Sequence, residues 1–100
     1  MTNWQAVFNR CFKLIDSEGP SYYSGTRFIR AVQEVEPGMP DYDDFIEQRR
    51  REQKSTTRRK WYKDLFFELQ EGKRFLFVSN ILKENESAAP VLCNEIRNLA

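Results

Sequence analysis

The residues able to do chemistry are crowded into the middle of the chain. Between Glu34 and Glu47 stand six carboxylates, Glu34, Glu36, Asp41, Asp43, Asp44 and Glu47, with no cation among them. Between Arg49 and Lys63 stand eight cations, Arg49, Arg50, Arg51, Lys54, Arg58, Arg59, Lys60 and Lys63, with the single acid Glu52. Half of the 16 Lys and Arg therefore lie in that second stretch, although the formal net charge of the chain is only +1. Such a block creates a local positive potential that attracts anions or acidic surfaces whatever the total charge. The plain alternative is a solvated face on which the two blocks pair with each other, exposed pairs contributing only about 0–1 kcal/mol each.

What is missing narrows the chemistry further. The chain has no His, which removes the commonest general base, the imidazole-dependent triads and most catalytic zinc sites. On a helix Asp43 and Glu47 would share a face and could hold Mg²⁺. The glycine and downstream glutamate of a calcium loop are absent, however, and no glycine-rich phosphate loop occurs. Acids in a first helical turn are explained equally by the helix dipole, and Tyr22-Tyr23 by packing. The chain is therefore read as a non-enzyme with no cofactor, no metal and no small-molecule substrate.

Two binding readings are left. In the first the chain is a protein-interaction or recruitment module. Arg49, Arg50, Arg51, Lys54, Arg58, Arg59 and Lys60 form its positive surface, and Asp41, Asp43 and Asp44 its negative one. Each surface is suited to the opposite patch of a protein partner or of another copy. In the second the cations of 49–63 neutralise nucleic-acid phosphates, Ser55, Thr56 and Thr57 bond phosphate oxygens, and Trp61 or Tyr62 stacks on an unpaired base. The acidic stretch just upstream opposes the second reading, as does a sequence pI of about 7.7. At helical spacing with Leu65 and Phe66, Trp61 also reads as core.

The elements that must position these charges are helical. Trp4, Val7, Phe8, Cys11, Phe12, Leu14 and Ile15 repeat at three and four, which predicts a first helix from Thr2 to about Ser17. Thr2 and Gln5 make its capping box, and Gly19-Pro20 stops it. Phe28, Ile29, Val32 and Val35 mark a second helix from about Ser24. A third, capped by Asp41, carries Tyr42, Phe45 and Ile46, with acids in its first turn and arginines in its last, the polarity that suits the helix dipole. Hydroxyls at 55–57 cap a fourth, which buries Trp61, Tyr62, Leu65, Phe66 and Leu69 and closes at Gly72. Phe75–Leu82 fits strand or helix. It is read as helix because no second strand-like segment offers it a partner. Ser87 caps a last helix with Pro90 in its first turn and Val91, Leu92, Ile96 and Leu99 inward.

The expected fold is thus an all-α, compact bundle of five to six short helices, one domain over residues 1–100, either free-standing or the first domain of a longer chain. In length, helix number and separated charge the chain resembles small six-helix adaptor domains of the death-domain kind, an architecture that does not by itself assign a role. No secretory pattern opens the chain and no apolar run approaches membrane-spanning length, which predicts a cytoplasmic protein without membrane contact. Cys11 and Cys93 lie on apolar helix faces and read as buried free thiols.

Overall fold

Each apolar stripe becomes a helix in the computed structural model, which describes residues 1–99. The helices are α1 (Trp4–Ile15), α2 (Gly25–Val35), α3 (Tyr42–Arg51), α4 (Arg58–Glu68), α5 (Glu71–Asn85) and α6 (Pro90–Leu99), with no strand among the described residues. α1 packs along α6 and crosses α4, α2 packs along α5, and α3 leans on α2. The radius of gyration, 13.2 Å, matches the roughly 13 Å of a compact chain of 100 residues. The four-residue apolar run from Phe75 to Val78 lies inside α5.

Several helix ends differ from those predicted, each for a local reason. Asn3 rather than Thr2 caps α1, its Oδ1 accepting from Ala6 N–H at 3.1 Å, while Gln5 donates to Asn9. The helix begins one residue later than the capping box requires, and Asn caps as well as Thr. α1 ends at Ile15, and Gly19, at φ 104°, serves the following turn, where its carbonyl accepts from Tyr22 N–H. α4 does not run to Gly72: it stops at Glu68 because Leu69 turns extended while remaining buried, and Gly72 falls in the first turn of α5. Ser87 does not cap α6, which starts at Pro90 with the Ala89 carbonyl accepting from Cys93 N–H. Val91 points outward, 73% exposed, so Cys93 and Ile96 fill the buried face instead.

The core is chiefly aromatic. Phe28 of α2 stacks on Tyr62 of α4 with centroids 3.9 Å apart and meets Trp61 and Phe77 edge-on. Phe8 and Trp4 of α1 close on Phe66. Edge-on and offset contacts of this kind add to the burial itself. The polar atoms drawn in with these rings are paired: Tyr62 donates to the Tyr23 carbonyl at 2.8 Å, and Tyr23 donates to Glu84 at 2.8 Å and accepts from Asn85. Arg27 pairs with Glu84, and together with the Tyr23 hydrogen bond this holds the Glu84 carboxyl below the usual carboxylate range. Among the described residues no buried side-chain nitrogen or oxygen lacks a partner. Cys11 and Cys93 are both free and buried, as expected. Burial, with Cys93 adding to it, pushes the Cys11 thiol up to about 12, which leaves it without thiolate to react.

Two outcomes test this packing. In urea unfolding Leu65→Ala should cost about 2–5 kcal/mol, whereas Val91→Ala should stay within about 0.5 kcal/mol of the parent; equal effects would show the helix phases to be wrong. Burial, with Glu84 holding its proton, pushes Tyr23 from 10.0 to about 12. The folded state thus keeps this proton more tightly than the unfolded chain, a stabilisation complete below pH 10 and lost as pH climbs towards about 12. Unfolding free energy should fall over that range, and Tyr23→Phe should remove part of the slope.

Candidate interaction surface

α3 is largely exposed. Of its ten residues only Phe45, Ile46 and Arg49 are buried. Tyr42 seats its start by lying over Gly25, where any Cβ would run into the ring, and Phe45 meets Trp61 with centroids 5.3 Å apart. The outward residues carry charge in two groups. Asp41 occupies the N-cap position without capping; its Oδ1 accepts from Gln33 at 2.8 Å. Asp43 and Asp44 follow, both exposed, and none of the three acids forms an ion pair among the described residues. The N-terminal partial charge of the helix favours them there.

The predicted basic surface does not form one face. Arg49 is 5% exposed, donates Nε–H to the Ser55 carbonyl at 2.7 Å and pairs with Asp64 at 3.1 Å. Arg50 is exposed and has no acid partner among the described residues, Arg51 reaches Glu47 at 3.7 Å, and Lys54 reaches Glu52 at 3.4 Å. Arg58 is turned inward, bonding Asp16, the Ile15 carbonyl and the Tyr62 hydroxyl. Arg59 is exposed, donates to Asn9 at 2.9 Å and lies over the Phe12 ring, 5.0 Å from its centroid. Lys60 pairs with Asp64 one turn away.

Helix geometry explains the dispersal. Successive residues rotate by about 100°, so Arg49, Arg50 and Arg51 leave α3 on three different sides, as Arg58, Arg59 and Lys60 leave α4. Between the two helices the chain reverses through a left-handed residue, Gln53 at φ 58°. Gln53 N–H bonds the Arg50 carbonyl and Lys54 N–H the Arg49 carbonyl, the Schellman pattern of a helix end. Arg49 is thereby clasped at its backbone and its guanidinium by the same turn. Trp61 and Tyr62, considered above as stacking platforms, are 2% and 0% exposed and belong to the core.

Sequence reasoning missed two cations, Lys13 and Arg74. Lys13 sits on α1 one turn beyond Asn9, the residue that takes Arg59. Arg74 donates to the Phe66 and Phe67 carbonyls at the end of α4 and lies over Trp4 and Phe67 at 5.5 Å. Trp4 stands 70 residues from Arg74 in the chain and so leaves no local sequence signal. Among the described residues no group of three or more His, Cys, Asp or Glu could hold a metal ion, and no helix is long and apolar enough to cross a membrane. Comparison with known proteins gives no match, whether to a protein family, a curated protein or a solved structure.

The placement of neighbouring arginines predicts a sharp contrast. Arg49→Ala strips the Ser55 carbonyl and Asp64 of their buried donor and should cost about 1–3 kcal/mol in urea unfolding. Arg50→Ala should cost less than about 0.5 kcal/mol. Equal small losses would return Arg49 to the surface.

Proposed function

We propose that this chain is a small protein-interaction module that recruits a partner through oppositely charged surfaces, with α3 as its docking element. The observation that supports this is the exposure of α3 together with its polarity: Asp43 and Asp44 stand free at its start and Arg50 at its end. Asp44 and Arg50 are six residues apart, which is about 9 Å along the axis. A facing surface must present the same two signs in reverse order, which orients the partner and rejects like-charged ones. Asp41 extends the negative end, and Arg51, Lys54, Arg59 and Lys60 add positive charge partly offset by Glu47, Glu52 and Asp64. Two buried, unpaired thiols suit a reducing, cytoplasmic setting.

A nucleic-acid ligand finds less support. Arg49 is buried and Arg58 is already paired with Asp16, the two candidate stacking rings are buried, and the free acids of α3 repel a polyanion.

Sedimentation velocity at low ionic strength tests the proposal. Association with a partner, other copies of the chain included, should weaken with added salt and fall at least about tenfold in Asp43→Lys/Asp44→Lys and in Arg50→Glu/Arg51→Glu. Association indifferent to both variants and to salt overturns it. Retention of DNA or RNA with a steep salt slope, without protein association, establishes the nucleic-acid alternative instead.

A further inference from the structure

Seven of the 16 cations, Lys13, Arg30, Arg50, Arg59, Lys63, Arg74 and Lys83, have no carboxylate within 4.0 Å among the described residues. Four of them come together where α1 meets α4. Arg59 lies over Phe8 and Phe12 of α1 and donates to Asn9, one turn before Lys13. Lys63 follows Arg59 by one turn of α4, about 6 Å along the axis. Phe67 follows by another, its ring 6.3 Å from Phe8. Arg74 closes the row over Phe67 and Trp4. Asp16 is paired with Arg58, and Glu71, three residues before Arg74, accepts the Trp4 indole N–H at 2.8 Å.

We propose that this row, Lys13–Arg59–Lys63–Arg74, receives the acidic start of α3, Asp41, Asp43 and Asp44, from a second copy of the chain. The inference rests on the reading of α3 as a docking element and names the surface and the partner that meet its acidic start alone, Arg50 lying about 9 Å further along the axis and outside the row. Charge complementarity carries it. Among the described residues the same chain displays a row of cations without a carboxylate within 4.0 Å on one side and a cluster of acids without an ion pair on another. Aromatic faces and backbone carbonyls hold Arg59 and Arg74 in place, so little side-chain freedom is lost when carboxylates arrive. Because the two surfaces differ, the contact is head-to-tail and leaves a free row and a free acidic end on each assembly, open to further copies. A nucleic-acid strand would meet the row equally well but would be repelled by the free acids that the self-contact uses.

Charge reversal in the full chain, read by sedimentation equilibrium at low ionic strength, tests the contact. Lys13→Glu/Lys63→Glu should weaken self-association at least about tenfold, as should Asp43→Lys/Asp44→Lys. An equimolar mixture of the two variants should restore it, since each then offers the other a complementary surface. Lys83→Glu, an equal change at an unpaired cation outside the row, should leave association as it was. Thermal melts confirm folding; Lys13→Gln/Lys63→Gln replaces the reversed pair if Glu at 63 disturbs it, with a loss of about threefold or more expected. Wild-type association at the row variants, with loss only at Asp43 and Asp44, overturns this contact while sparing α3 as a docking element. No association of the wild type at millimolar concentration, or no rescue on mixing, also overturns it. Binding of an oligonucleotide that the row variants lose, without self-association, assigns the row to nucleic acid.

Discussion

The hydroxyl and ring of Tyr62 are the point on which the bundle depends. The ring is stacked on Phe28, which ties α4 to α2, and meets Phe12 of α1 edge-on. Its hydroxyl donates to the Tyr23 carbonyl and accepts from Arg58, which in turn holds the last carbonyl of α1 and Asp16. Four pieces of chain, α1, the link after it, α2 and α4, therefore meet at one side chain. A buried phenol is costly unless its polar end is paired. Here the pairing also fixes how the helices meet.

That constraint selects which charges remain outside. Arg58 and Arg49 serve as internal connectors, each bonding a backbone carbonyl and a carboxylate from another element. Guanidinium groups suit this task because their planar donors bond several acceptors at once and their faces lie against rings. Arg58 rests over Tyr62 and Tyr22. The engagement of Arg49 and Arg58, with the pairs at Arg51, Lys54 and Lys60, leaves Arg50, Arg59 and Lys63 of the sequence block of eight without a carboxylate within 4.0 Å among the described residues.

The surface that results is electrically divided although the protein is nearly neutral. α3 stays outside because it has little apolar face to bury, and its acids lie where the helix dipole favours them. Among the described residues the cations along the α1–α4 seam have no carboxylate within 4.0 Å. Both features follow from packing: the core takes the rings, the rings take guanidinium groups, and part of the remaining charge is without an ion pair among the described residues. A docking role is the use we propose for that remainder.

How much of this was written in one dimension depends on the range of the interaction. The six helices and most of their apolar faces were legible because periodicity acts between residues three and four apart. The helix-ending role assigned to Gly72 failed because Leu69 bends the chain to stay buried, a decision made by the core and not by the glycine. The acids of α3 were found where expected. The single basic surface was not, since a run of like charges says nothing about the side of the helix on which each one leaves. The sequence by itself determined helices, core composition and the acidic end of α3. Only the tertiary structure decided which cations are internal and which face solvent, because Arg58 finds Asp16 and Arg59 finds Asn9 across more than 40 residues of chain.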